Sequence, residues 1–264
     1  MHHPLIMKFG GASLEGPQSY HKIAKIICSR VEKGRELVVV LSAMKDNTDQ
    51  LFSLAKEIHP NPPRRELDML VSAGERISIA LLAMAFALEG REAISFTGSQ
   101  SGIITTDDHS DARIVAVRPF RISRALKEGF IAIVAGFQGV STKGEITTLG
   151  RGGSDTTAVA LAAALNSPLV EFYKDVGGIF ETDPKTNPKA RLLEKLSYQE
   201  AYALAQGGAK VLHPRSVALA EKNGIQLHVI PGSIIGSDAV RKNEILFETD
   251  PLPSFALSEN GGKL

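Results

Sequence analysis

Three lysines and an arginine, each set beside paired glycines, are the residues of this 264-residue chain whose types and spacing could do chemistry. In Lys8-Phe9-Gly10-Gly11-Ala12-Ser13, two glycines follow directly on the apolar run Leu5 to Phe9. Glycine there lets backbone N–H groups approach an anion closely. A lysine at the same strand end supplies the fixed positive charge that phosphoryl transfer needs as charge builds on the moving oxygens. A plain turn beside a solvated lysine fits the same letters, so this group alone decides nothing. Neither G-x-x-x-x-G-K-[ST] nor G-x-G-x-x-G occurs, which removes the main support for P-loop and dinucleotide readings.

Gly150-Arg151-Gly152-Gly153-Ser154-Asp155-Thr156-Thr157 is the stronger signal, because it opens the alanine-rich helical stretch AVALAAAL. A helix N-terminus offers unbonded N–H groups and partial positive charge, and a guanidinium binds a carboxylate through two parallel hydrogen bonds. Together they suit an amino-acid substrate. Ser154 or Asp155 also fits an ordinary N-cap, but a cap needs no arginine between glycines.

Two further groups follow. Tyr173-Lys174-Asp175-Val176-Gly177-Gly178 ends another strand-like run, at the kind of sheet edge where open α/β folds bind ligands. Gly207-Gly208-Ala209-Lys210-Val211-Leu212-His213-Pro214 adds a lysine suited to nucleotide phosphates, or to a helix C-terminus. His213 reads as structural, since a carboxylate acceptor needs no base and X-Pro is common at helix starts. Asp107-Asp108-His109-Ser110-Asp111 reads as a solvated turn, and no protein-only metal site is predicted.

These groups must be held by regular elements. Short apolar runs at Leu5 to Phe9, Leu37 to Leu41, Ile94 to Phe96, Ile131 to Ala135, Leu169 to Tyr173 and Ile225 to Ile230 read as strands. Helical patterns cover Gln18 to Glu32, Leu67 to Leu88, Ile114 to Glu128, Thr156 to Leu165 and Tyr198 to Ala205. Loops fall at Asn61-Pro62-Pro63, Thr97 to Asp111 and around Asp183 to Pro188. The alternation predicts an α/β fold with a mostly parallel sheet covered on both faces. The apolar helix Ile77 to Leu88 reads as core, with an oligomer contact as the alternative.

Thirty Lys and Arg against 29 Asp and Glu give a formal charge of +1, so no field draws the chain to nucleic acid or an anionic membrane. Cys28 is the one cysteine, which rules out an internal disulfide and points to a packing role in a reducing cytoplasm. The start is too short in apolar residues for a signal peptide, and Ile77 to Leu88 is shorter than a bilayer requires.

In order along the chain stand KFGGAS, SAM followed by Thr48-Asp49, GER, GFQG, LGRGGSDTTA, YKDVGGIFETDP and GAKVLHP. With these motifs the chain resembles the aspartokinase branch of the amino-acid kinase family over nearly its whole length. The resemblance implies an α/β/α sandwich of three layers around a central, mainly parallel sheet. It implies an amino-acid-binding lobe at about residues 1–167, an ATP-binding lobe at about 168–240 and a tail at 241–264, without the paired ACT domains of typical members. It also implies ATP with Mg²⁺ as cofactors, a homodimer, and transfer to the β-carboxylate of L-aspartate, the first step toward lysine, threonine and methionine.

By the same resemblance, Lys8 stabilises the transferred phosphoryl group, with Phe9, Gly10 and Gly11 along the nucleotide phosphates. Ser42, Thr48, Glu75 and Phe137 border the aspartate. Arg151 clamps its carboxylate, with Gly152, Gly153 and Ser154 beside it, and Asp155 orients substrate and lysine. Lys174, Asp175, Phe180, Lys185, Lys210 and Val211 surround the nucleotide. The sequence departs from the family pattern at Ala12 and Lys174, where threonine is usual, at Phe180, where tyrosine is usual, and at Met44 to Thr48, where a glycine is expected. A kinase for another amino-acid carboxylate, or a catalytically silent regulatory subunit, stays open at this point, as does a nucleotide or phosphonate kinase of the wider superfamily.

Overall fold

The structure, a computed structural model, describes residues 3–175, 177–181, 187, 189–207, 211–231 and 246–247. The chain enters through β1 (Leu5–Phe9) and α1 (Pro17–Arg30), returns in β2 (Leu37–Leu41), and passes α2 (Asn47–Ile58), α3 (Arg64–Val71) and α4 (Ala73–Leu88) to β3 (Ala93–Phe96). Next come β4 (Ile103–Thr105), β5 (Ile114–Val117), α5 (Phe120–Lys127), β6 (Ile131–Ala135), β7 (Gln138–Ser141), β8 (Ile146–Thr148) and α6 (Gly153–Ala164). The remainder is β9 (Leu169–Lys174), β10 (Lys195–Leu196), α7 (Tyr198–Gln206), α8 (Pro214–Asn223), β11 (Gln226–Pro231) and β12 (Leu246–Phe247).

The six strands expected from the sequence form one parallel sheet in the order β11-β9-β1-β2-β6-β3. Strands buried on both faces read as unbroken apolar runs, and Leu37–Leu41 is buried at every position. Side chains alternate between the faces, so β1 divides its residues between two cores. Ile6 packs with Val38, Phe172, α6 and α8 on one side. Met7 and Phe9 pack with Tyr20 and Ile23 of α1 and with Leu82 and Phe86 of α4 on the other. The expected three layers result. Lys8 shares the face of Ile6, which aims its side chain at α6.

Four differences from the sequence reading have local causes. Ile114 to Glu128 is not one helix: the β-branched run Ile114–Val117 pairs with β4, and Pro119 precedes the helix at Phe120. The Leu67 to Leu88 pattern begins earlier and is interrupted at Ser72, whose carbonyl accepts a 2.8 Å bond from Gln138 Nε2. The helix expected from Thr156 starts at Gly153 and is capped by Gly152 without a side-chain bond, so neither Ser154 nor Asp155 is the cap. The loop Thr97 to Asp111 contains β4, which joins β5, β7 and β8 in a second, four-stranded sheet. These short strands are too brief to show a period. α2 and α8 are also absent from the sequence reading.

Cys28 packs against the α1–α4 core, in keeping with its expected role. The run Arg64–Leu88 is long and apolar enough to cross a membrane by length and composition, yet half of its most apolar window is buried inside the fold. Its outer side leaves Ile77, Met84 and Leu88 exposed.

Candidate active site

At the carboxyl end of the central strands, one carboxylate sits between two ammonium groups. Asp155, in the first turn of α6, accepts from Lys8 at 2.6 Å on Oδ1 and from Lys174 at 2.9 Å on Oδ2 and 3.2 Å on Oδ1. Lys8 and Asp155 are 4% and 5% exposed, so both charges are withdrawn from water. Burial pushes the Asp155 carboxyl upward, but Lys174 and Lys8 outweigh it and hold it down at about 2. Burial also dominates at Lys8; Asp155 offsets it only partly and Lys174 adds to it, which brings the ammonium down to about 8. The asymmetry follows from the count: one anion serves two cations. Asp155 therefore stays ionised and has no spare proton capacity, and the cluster keeps a net positive charge suited to an incoming anion.

Glu75 lies across β1 from this cluster, in the first turn of α4 and 3% exposed. Its Oε1 accepts the Ala43 N–H at 3.1 Å, which ties α4 to the turn after β2. Among the described residues its Oε2 is buried with no hydrogen-bond partner, as are Arg76 Nε next to it in sequence and Asn47 Oδ1 at the start of α2. Unpaired buried acceptors are costly unless a ligand completes them. Burial pushes the Glu75 carboxyl up to about 7, against smaller downward pulls from backbone N–H groups and Lys8. The folded group binds a proton that the unfolded one has released between pH 4.5 and about 7, so stability falls as pH rises through that window. Glu75→Gln is expected to remove about 3 kcal/mol of that fall. Urea unfolding of both proteins at pH 5 and pH 8 measures it, and parallel losses in the two would refute it.

The turn between β2 and α2 carries Ser42, whose N–H bonds to the Phe9 carbonyl, and Thr48 in the first helical turn. Asp46 takes φ 63° there, the left-handed conformation that a glycine would supply and that aspartate tolerates.

Arg151 is exposed and forms no ion pair among the described residues. Its loop needs glycine on both sides. Gly150 has φ 70° and a Cβ there would stand 2.9 Å from Asp111 Oδ1; Gly152 has φ 72° and its Cβ would strike the His213 ring at 2.2 Å. His213 is the N-cap of α8, its Nδ1 accepting from the Arg215 N–H, which agrees with a structural role. Arg215 grips Asp111 with both nitrogens at 2.7 and 3.1 Å and reaches the Leu149 carbonyl at 3.3 Å. Phe137 also has a positive φ, 68°; its N–H bonds to Thr157 Oγ1 and its ring lies 3.0 Å from a Cβ built on Gly153. A bulky residue held there costs about 1–3 kcal/mol, strain of the kind that marks functional sites.

Asp68 on α3, wholly buried, completes the support. Its carboxylate accepts from Thr148 Oγ1 at 2.6 Å, the Thr148 and Ser110 N–H groups, and meets His109 Nδ1 at 2.8 Å. It joins the helix before Glu75 to the strand before Arg151. His109 is thereby bound to a buried carboxylate, which corrects the reading of 107–111 as a wholly solvated turn.

Among the residues expected around the nucleotide, Gly10 caps and Gly11 begins a single 3-10 turn, and a Cβ on Gly11 would stand 3.0 Å from the Ala43 carbonyl. Phe9 stacks on Tyr173 at 4.3 Å in the core, so its side chain supports rather than lines the site. Asp175 is exposed, Phe180 pairs with Leu192, and Val211 precedes α8. Lys185 and Lys210 lie outside the described residues. The structure thus gathers Lys8, Asp155 and Lys174, with Glu75 close enough to feel the Lys8 charge and Arg151 in the loop that leads into Asp155; among the described residues no ion pair or hydrogen bond joins Thr48, Asp175 or Phe180 to that cluster. Asn47, Arg76 and Asp68 are additions. Asn47 and Arg76 adjoin expected residues, whereas Asp68 gives no signal because its partners lie 41 to 80 residues away.

Residues 4–231 match the amino acid kinase family, and the chain belongs to it. It is similar to the aspartokinase of Corynebacterium glutamicum, 53% identical over 226 residues that make up 85% of this chain and 54% of that protein. The fold superposes on an aspartate kinase from Synechocystis with TM-score 0.82 and 43% identity, over 96% of this chain and 40% of that one. It also superposes on E. coli aspartokinase III in complex with aspartate and ADP, with TM-score 0.81 and 26% identity, over 94% and 65% of the two chains. This chain spans about half the length of the curated relatives it matches.

Proposed function

We propose that the chain carries the catalytic part of an ATP-dependent aspartate kinase, which phosphorylates the β-carboxylate of L-aspartate. The observation that carries the reading is the buried Lys8–Asp155–Lys174 cluster, with the exposed Arg151 in the glycine loop that leads into Asp155. Aspartate and ADP are bound in the E. coli relative, and the same two ligand chemistries fit the two sides of this site.

In this reading Arg151 takes a substrate carboxylate through two hydrogen bonds, and the unpaired Glu75 Oε2 receives the α-ammonium. A β-carboxylate oxygen then attacks the γ-phosphorus. The bond from that phosphorus to its bridging oxygen breaks, and the electron pair leaves on ADP. No proton moves, so Asp155 needs to act only on Lys8, and catalysis is positioning plus charge stabilisation by Lys8. Gly10 and Gly11 offer N–H groups to the phosphates, with Asp175 on the nucleotide side and Lys174 on Asp155. Mg²⁺ would enter with ATP and offset the phosphate charge; both Asp155 oxygens already accept ammonium donors, so Asp155 would not be needed to hold it. The amino acid occupies the lobe up to about residue 167 and the nucleotide the lobe after it. A cytoplasmic homodimer is part of the proposal, with the exposed α4 residues Ile77, Met84 and Leu88 as a surface for the second copy.

The test is ADP release with MgATP and a panel of amino acids, trapping acyl phosphate with hydroxylamine. Aspartyl hydroxamate is the expected product; hydroxamate from a different acid alone would overturn the substrate, and none at all the activity. Arg151→Lys is expected to raise KM for aspartate about 10- to 100-fold, since one point donor replaces a two-pronged one. KM for ATP should stay within about threefold.

A further inference from the structure

We propose that Lys174 is a positioning residue: it keeps hold of Asp155 so that Lys8 is free to leave that carboxylate for the phosphoryl group. The inference rests on the kinase reading above and adds a role at a position where the family pattern has threonine.

Lys8 has two demands on it. It must pair with Asp155 in the empty site, where both are almost wholly buried. During transfer it must turn toward oxygens that gain negative charge. A site with only these two groups would strand a buried, ionised carboxylate each time the lysine moved, and an uncompensated buried charge is strongly unfavourable. Here Lys174 contacts both Asp155 oxygens, at 2.9 and 3.2 Å, and Lys8 approaches Oδ1 at 2.6 Å. Departure of Lys8 therefore leaves Asp155 with two hydrogen bonds and a full counter-charge. A threonine at 174 would offer no charge at all.

Lys174 is fixed for this task by its place in the fold. It ends β9, which pairs directly with β1, and its ammonium lies 5.7 Å above the Phe172 ring. Among the described residues, the charged and titratable groups around Lys8 are Asp155 on α6, Lys174 on β9 and Glu75 on α4, with His213 at the start of α8 facing Asp155. Of these, Lys174 is the one that presses Lys8 toward its neutral form.

The experiment compares Lys174→Met, Lys174→Thr and Lys174→Arg with the unaltered protein. Lys8 is titrated in each by NMR of ¹³C-methylated lysines, assigned with Lys8→Arg, and turnover is followed with MgATP and the accepted amino acid. Removing the second cation is expected to move the Lys8 titration to higher pH in the Met and Thr variants. It should lower kcat about 10- to 100-fold while KM for MgATP changes less than threefold, and Arg should recover most of both. Because Asp155 keeps Lys8 in all three, the fold is expected to persist, and the lysine spectrum itself reports it. An unchanged Lys8 titration overturns the proposal, and so does a raised KM for MgATP with kcat intact, which would make Lys174 a simple phosphate contact. If the unaltered protein makes no acyl phosphate, the kinase reading fails independently of the Lys8 titration.

Discussion

Lys8→Met is expected to lower turnover about 10³-fold while leaving the protein folded. Removal of one preorganised donor at a developing charge costs about 10²- to 10³-fold, and Lys8 supplies a full charge rather than a dipole. Folding should survive because the partner is not stranded: Asp155 retains Lys174 on both oxygens. Methionine fills a similar volume without a charge. The measurement is hydroxamate formation beside a thermal melt monitored by circular dichroism. A well-folded Lys8→Met protein with more than a tenth of the original kcat would remove Lys8 from the chemistry.

Asp155→Ala is the complementary change and should damage the fold as well. It leaves two ammonium groups, one of them 4% exposed, with no anion between them. Breaking a buried pair from one side costs about 3–5 kcal/mol. The pH dependence has a definite sign. Lys8 already titrates near 8 against 10.5 for the free side chain, and losing Asp155 lowers it further. Between the folded and unfolded values the unfolded state holds more protons, so the stability of Asp155→Ala should rise with pH as Lys8 becomes neutral. Urea unfolding at pH 6, 8 and 10 tests this; a loss below about 1 kcal/mol at pH 6 would mean that the cluster is not the buried ion triad described.

Much of this arrangement is legible in the residues alone. Every strand of the central sheet announces itself, because a parallel sheet covered on both faces demands unbroken apolar runs such as Leu37–Leu41. Lys8 just before its glycine pair and the glycine-flanked Arg151 likewise advertise anion chemistry. The smaller sheet does not, since strands of three or four residues with partners far along the chain carry no period of their own. Lys174 is a different kind of miss. The letters place it near the nucleotide, but its grip on Asp155 depends on β9 lying beside β1, a juxtaposition no local pattern encodes. Glu75 shows the same limit: its position could be matched, whereas its unpaired oxygen belongs to the packed molecule.

The central position of β1 has a last consequence. Lys8 hangs from a strand bonded on both sides and packed on both faces, so its backbone opens only when the whole cooperative unit opens. Arg151 instead rides between two left-handed glycines on a surface loop. The lysine end of the site is therefore held by the whole sheet, and the arginine end by the backbone of one glycine-bound loop.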